Sequence, residues 1–155
     1  MTNKLKYFYP KRLKELVYVI RKSDYIQLED VKYKVVKSTI SNKKIKYEVF
    51  DKKILVHEST VYKKLHFLKL INKTGPAIGD CFTNNEYRGQ SIYPSMLSLI
   101  VKELLFEKNN EEVCIIVDHD NIGSIKGIEK AGFKLHSKIE TCRFLFIYYN
   151  TKFIN

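Results

Sequence analysis

Between Glu86 and Leu97 the sequence reads EYRGQSIYPSML, passing from a polar loop into an apolar helix through an arginine, a glycine, a serine and a proline. Arg88-Gly89-Gln90-Ser91 puts a cation and a permissive backbone where a helix begins. Free N–H groups and the positive end of the helix dipole then converge on one place. Such a place binds anions, phosphate most often, although an arginine in a loop is also commonly no more than solvated. Other residues could move protons. His57 and Glu58 follow the apolar Ile54, Leu55 and Val56, and either could be the base that an attacking amine needs, since the amine must lose a proton. The plainer alternative is a strand end with ordinary polar residues. Asp80 is a further candidate base on the short strand before the Arg88 loop. Its neighbour Cys81 reads more simply as a buried thiol than as a nucleophile, because no histidine stands near it in sequence.

Elements that could position these residues follow from periodicity. Tyr93, Leu97, Ile100 and Leu104 recur at helical spacing, predicting a helix from Ser91 to about Glu107 with Pro94 in its first turn and Asn109-Asn110 at its end. Thr74-Gly75-Pro76 marks a turn before a strand over Ala77 to Thr83. Val113 to Val117, VCIIV, is a continuous apolar run of the kind buried on both faces of a sheet. Asp118-His119-Asp120-Asn121 offers helix caps for Ser124 to Ala131, and Gly132 a left-handed stop. Gly127, inside that helix, costs about 1 kcal/mol relative to alanine, so it serves either close helix packing or a bound ligand. Strands are expected at Lys14 to Arg21, Lys32 to Ile40, Phe133 to Ile139 and Thr141 to Tyr149, with a hairpin from Lys44–Phe50 and Lys53–Glu58. Val61 to Asn72 fits neither period.

At 155 residues and 45% hydrophobic content, the chain suits one compact domain, taken as residues 1–155. Three cysteines, odd in number and widely spaced, make neither a disulfide framework nor a zinc site. The basic start MTNKLKYFYPKR lacks the apolar core of a secretory signal, and no apolar run is long enough to span a bilayer. A cytoplasmic protein with no membrane partner is expected. The net charge is +11, which A+T-rich codon usage would itself produce through lysine. The distribution is more telling: residues 1–75 hold 19 Lys+Arg against 7 Asp+Glu, and residues 76–155 hold 9 against 10. With no helix-turn-helix or zinc pattern, charge alone supports no nucleic-acid partner.

A strand running into an Arg-Gly loop and helix, then a second strand running into an Asn-headed helix that ends Lys-Ala-Gly-Phe, resembles the GCN5-related N-acetyltransferase (GNAT) superfamily. Its cofactor signature, Arg/Gln-x-x-Gly-x-Gly/Ala, falls on Arg88 to Tyr93. Its later motif, Asn-x-x-Ala-x-x-x-Tyr-x-Lys-x-Gly-Phe, is met by Asn121, Lys130, Gly132 and Phe133, with Ser124 for alanine. The resemblance runs from residue 77 to residue 149. RGQSIYP is also similar to a branch associated with bacterial surface-sugar gene sets.

The resemblance implies an α/β (α+β) fold: a mixed, mostly antiparallel twisted sheet flanked by helices, with splayed central strands. Residues 76–155 would bind acetyl-CoA and residues 1–75 would shape the acceptor side. The backbone of Arg88, Gly89, Gln90, Ser91, Ile92 and Tyr93 would cradle the pyrophosphate. Backbone near Phe82 and Thr83 would polarise the thioester carbonyl, and Asn121, with Ser124 beside it, would meet the pantetheine arm. No metal is needed. The implied reaction is acetyl transfer to a primary amine of a small acceptor, and the basic first half suggests an anionic one, such as a nucleotide-linked amino sugar. Ser91 and Tyr93 stand where small residues, usually glycines, let phosphate approach. Ile128 stands where a tyrosine is thought to protonate the leaving thiolate. These departures favour, as the alternative, a non-catalytic acyl-CoA or nucleotide-binding module. Since Ile128 cannot donate, the thiolate would be protonated by water or by another side chain, and Ile128→Tyr should fold and leave activity the same or raise it. A homodimer is left open.

Overall fold

The structure is a computed structural model that describes residues 9–154. In chain order its elements are strands β1 (Lys11–Arg21), β2 (Lys34–Ser41), β3 (Lys44–Asp51), β4 (Ile54–Tyr62) and β5 (Ala77–Thr83), helix α1 (Ile92–Lys102), strand β6 (Glu112–Asp118), helix α2 (Ile122–Lys130), and strands β7 (Lys134–Phe144) and β8 (Ile147–Ile154). The strands form one sheet in the order β2-β3-β4-β5-β6-β1-β7-β8. Every neighbouring pair is antiparallel except β5 and β6.

The apolar runs of the sequence mark strands covered on both faces. In β1, Tyr18 and Ile20 join the core beneath the helices, while Val17 and Val19 pack on the other face against Phe67 and Leu68. VCIIV divides the same way, Val113, Ile115 and Val117 facing the helices and Cys114 facing away. Helix α1 supplies the fully buried Met96, Leu97, Ile100 and Val101, each worth about 1.5–3 kcal/mol relative to exposure. It continues into a wider turn over Glu103–Glu107, closed by Lys108 N–H to the Glu103 carbonyl at 2.9 Å, and Asn109 in the left-handed region ends it.

Three features differ from the sequence reading. Val61 and Tyr62 complete β4, and His66–Ile71 forms a 3₁₀ turn that covers the second face. The last two strands do not divide near Glu140: β7 runs on to Phe144, and the hairpin turns at Leu145, at φ 53°, and Phe146. That turn lacks the Gly, Asn or Asp that normally announces one. Finally, β1 lies between β6 and β7, paired with both, a placement that no local pattern encodes.

The central strands part. Pairing of β5 with β6 is confined to Ala77 with Cys114 and Ile78 with Ile115. Beyond it β5 bulges: Glu58 pairs with Phe82 and Thr60 with Gly79, so Asp80 and Cys81 together stand opposite Ser59. Asp80 takes φ 47° to make the extra residue fit, and such bulges bend and twist the strand that carries them. The result is a notch between β5 and β6, open to the starts of α1 and α2.

Candidate functional site

Over that notch lies a cleft of about 490 Å³. Its floor is the bulged end of β5, through Cys81, Phe82 and Thr83, and its two sides are the loop into α1 and the exposed face of α2. Arg88 donates from Nε to the Thr83 carbonyl at 3.2 Å, which ties the loop to the strand end and leaves the guanidinium at the surface. Gly89, at φ 80°, and Ser91, at φ 58°, both take left-handed backbone to turn the chain into the helix. Ser95 N–H bonds Ser91 O at 3.1 Å, so the amides of Ile92 and Tyr93 precede the first intrahelical bond and have no acceptor within the helix.

The second helix starts against the same space. Asn121 caps it, its Oδ1 accepting from Ser124 N–H at 3.2 Å, and both residues line the cleft. Lys126 and Lys130 follow along one face, and Lys130 Nζ donates to Ser91 Oγ at 2.8 Å, joining the two sides. Arg88, Lys126 and Lys130 thus bring three cations to one cleft beside free amides, the donor set expected for a pyrophosphate. A Cβ added at Gly89 or Gly123 would meet nothing within 4 Å, so open space lies over both. This arrangement fits the pyrophosphate and pantetheine arm of an acyl-CoA.

Of the residues picked out from sequence, Phe82, Thr83, Arg88, Gly89, Ser91, Ile92, Tyr93, Asn121 and Ser124 all line this cleft. Gln90 turns away into a neighbouring groove, where its Oε1 accepts from Tyr33 OH at 3.1 Å. The three candidate bases do not line the cleft. Glu58 is paired with Lys46 at 2.8 Å. Asp80, rotated outward by the bulge, accepts from Tyr62 OH. His57 is fully buried, with Nδ1 2.8 Å from Thr83 Oγ1 and Nε2 2.7 Å from Ser59 Oγ. Burial lowers its pKa to about 4, slightly opposed by Glu58, so it is neutral at physiological pH. Asp118, His119 and Asp120 bring potential ligand atoms within 4.8 Å of one another, but the His119 ring nitrogens already lie 3.3 Å and 3.0 Å from the two aspartates at the surface.

Lys126, which the sequence reading missed, and Lys130, noted there only within the motif, carry a signal in hindsight. They are four apart and in step with Gly123 and Gly127, which puts all four on one helix face. Gly127 itself is explained by packing: a Cβ there would lie 2.5 Å from the Tyr93 ring. Tyr93 fills that space, and burial is the main cause that raises its pKa. Ile128 points the other way, into the core, and is fully buried. The expectation that tyrosine would be accommodated at 128 is therefore corrected. Ile128→Tyr should lower stability by about 1–3 kcal/mol through overpacking, read as a lower midpoint in urea. An unchanged midpoint would mean that position 128 is not enclosed as described.

No protein-family model matches the sequence, and no curated protein matches it. Among solved structures, an acetyltransferase of the GNAT family from Colwellia psychrerythraea is similar, with a TM-score of 0.60 at 15% identity over 88% of this chain. The chain spans 57% of the length of that protein. With its bulged central strand, splayed sheet and paired helix starts, the chain has the fold of the GNAT-family acetyltransferases.

Proposed function

We propose that this protein is an acyl-CoA-dependent N-acyltransferase that moves an acetyl group from acetyl-CoA to a primary amine of a small acceptor. The observation that carries this reading is the cleft over the splayed strands, where Arg88, Lys126, Lys130 and the amides at the start of α1 face one another. Acetyl-CoA would supply a thioester, an acyl carbon already activated toward an amine. The chain's own part is to hold the phosphates with its cations and free amides, and to place the carbonyl oxygen against backbone N–H groups at the end of β5. Fixing donor and acceptor together removes much of the entropic barrier to their reaction.

An anionic acceptor, such as a nucleotide-linked amino sugar, is supported by the basic first half of the chain. Part of that charge is already matched by acids of the second half, in the pairs Lys37–Glu103, Lys73–Glu112 and Arg12–Glu140. What remains would attract an anion with a strength that salt screens over about 8 Å at physiological ionic strength. The test is release of free thiol from acetyl-CoA with a panel of amines, including an amino sugar with and without a linked nucleotide, at low and high salt. A higher kcat/KM for the nucleotide-linked amine that declines with salt supports the anionic acceptor. Equal values at both salts remove that part and leave the acyltransferase reading in place.

A second reading is a non-catalytic acyl-CoA-binding module. It is favoured by Ser91 and Tyr93, which line the cleft where the superfamily's small residues would let phosphate approach the backbone. Stabilisation by acetyl-CoA without thiol release across the amine panel would select it.

A further inference from the structure

His57 and Ser59 are fully buried polar residues beneath the cleft, and the pairing of β4 with β5 explains what they touch. Both project from one side of β4, and the register that sets His57 against Thr83 brings Thr83 and the bulged Cys81 beside them. The hydrogen bonds among these side chains run in one direction, fixed at the far end by a group that can only accept. The Gly79 carbonyl takes the Cys81 thiol proton at 3.5 Å. Cys81 Sγ in turn accepts from Ser59 Oγ at 3.3 Å. With its single proton committed there, Ser59 must accept from His57 Nε2–H, at 2.7 Å. His57 Nδ1 is then bare and accepts the Thr83 hydroxyl proton at 2.8 Å. That last bond requires a neutral ring, which burial provides. The Thr83 hydroxyl thus has its proton turned inward, and its oxygen, on a residue that lines the cleft, can only accept.

We propose that Thr83 Oγ1 is the acceptor that holds an N–H of the attacking amine, and that His57 is the positioning residue that keeps it an acceptor. This rests on the acyltransferase reading above. In that reading the thioester carbonyl lies against backbone N–H groups at the end of β5, so Thr83, the last residue of that strand, stands beside the carbon the amine must reach. An amine that donates one N–H to Thr83 Oγ1 keeps its lone pair for the acyl carbon, and orientation of this kind lowers the barrier to attack. Arg88, Lys126, Lys130 and the first amides of α1 are donors, which suit phosphate and leave an amine's N–H without a partner. A Thr83 hydroxyl with its proton in the cleft would add one more donor and compete for the lone pair that must attack. Turning that proton onto His57 removes the competition. His57 itself neither takes nor gives up a proton, and its buried ring needs no contact with substrate.

The experiment separates the amine from acetyl-CoA and reads the histidine tautomer directly. Thr83→Val, which keeps the shape and removes the oxygen, should lower kcat/KM for the amine at saturating acetyl-CoA about 10-fold, the size of one hydrogen bond. The thermal shift given by acetyl-CoA should remain. Thr83→Ser should recover most of the loss, because it restores the oxygen. In the unliganded wild type, ¹⁵N chemical shifts of the His57 ring should show the proton on Nε2. Ser59→Ala deletes the acceptor of that proton, and buried N–H groups without a partner are tolerated less well than bare acceptors. The proton should then move to Nδ1 and turn the Thr83 hydroxyl toward the cleft, lowering kcat/KM for the amine about as far as Thr83→Val does. A proton on Nδ1 in the wild type overturns the proposal. So does a Thr83→Val protein that keeps the wild-type kcat/KM for the amine, or that loses only affinity for acetyl-CoA, which would give the oxygen to the pantetheine arm. In each of these cases the acyltransferase itself stands. A wild type that binds acetyl-CoA and turns over no amine overturns both readings.

Discussion

Arg88→Glu should abolish the thermal stabilisation that acetyl-CoA gives the wild-type protein. Arg88 stands at the mouth of the cleft with its guanidinium free beyond the single bond from Nε to Thr83 O. Charge-assisted hydrogen bonds of the kind it would make to phosphate contribute about 1.5–3 kcal/mol each, or about 10- to 100-fold in affinity. Reversal adds repulsion to the loss, and Lys126 and Lys130, on the opposite side, cannot offset both. A dissociation constant weakened by at least about 100-fold is expected, with the melting temperature of the unliganded protein nearly unchanged because Arg88 is exposed. Arg88→Lys should keep part of the stabilisation, a point charge replacing a fork. If acetyl-CoA stabilises Arg88→Glu as strongly as the wild type, the loop does not hold the ligand.

Acid should destabilise the fold through His57. Its pKa is lowered to about 4 by burial, against about 6.5 in an unfolded chain. Above pH 6.5 the ring is neutral in both states and contributes no pH dependence. Between pH 6.5 and 4 the unfolded chain binds a proton that the native state refuses, so stability falls as pH falls; below 4 both states are protonated and the loss is complete. At about 1.4 kcal/mol per unit, the loss is about 3 kcal/mol. Glu112, Glu140 and Asp24, whose pKa values are lowered mainly by bonds to Lys73, Arg12 and Lys134, add acid sensitivity of their own at the lower end of this range. They are common to the wild type and His57→Gln, so the difference between the two isolates the histidine. That difference in unfolding free energy should narrow by about 3 kcal/mol from pH 7 to pH 4. Parallel curves would mean that water reaches the ring.

Much of this protein could be read locally. The Ser91 helix, the VCIIV strand, the Asn121 cap and the Gly132 stop each follow from a few neighbouring residues, because helix periodicity, capping and left-handed glycine are short-range physics. The Arg88 loop and its anion-binding chemistry were legible for the same reason. What the tertiary structure decided is everything that depends on partners distant in sequence. Only the assembled sheet puts β1 between β6 and β7, since its unbroken apolar run is equally content beside any two strands. Gly127 was ambiguous until Tyr93, from another helix, was seen to occupy the space of its missing side chain. Ile128 lies beside it, but a helix turns 100° per residue, so one faces the cleft and the other the core. His57 and Cys81 looked unconnected at a separation of 24 residues. The pairing of β4 with β5 and the bulge at Asp80 join them through Ser59, because strand register, which no local pattern here specifies, determines which buried polar groups must satisfy one another.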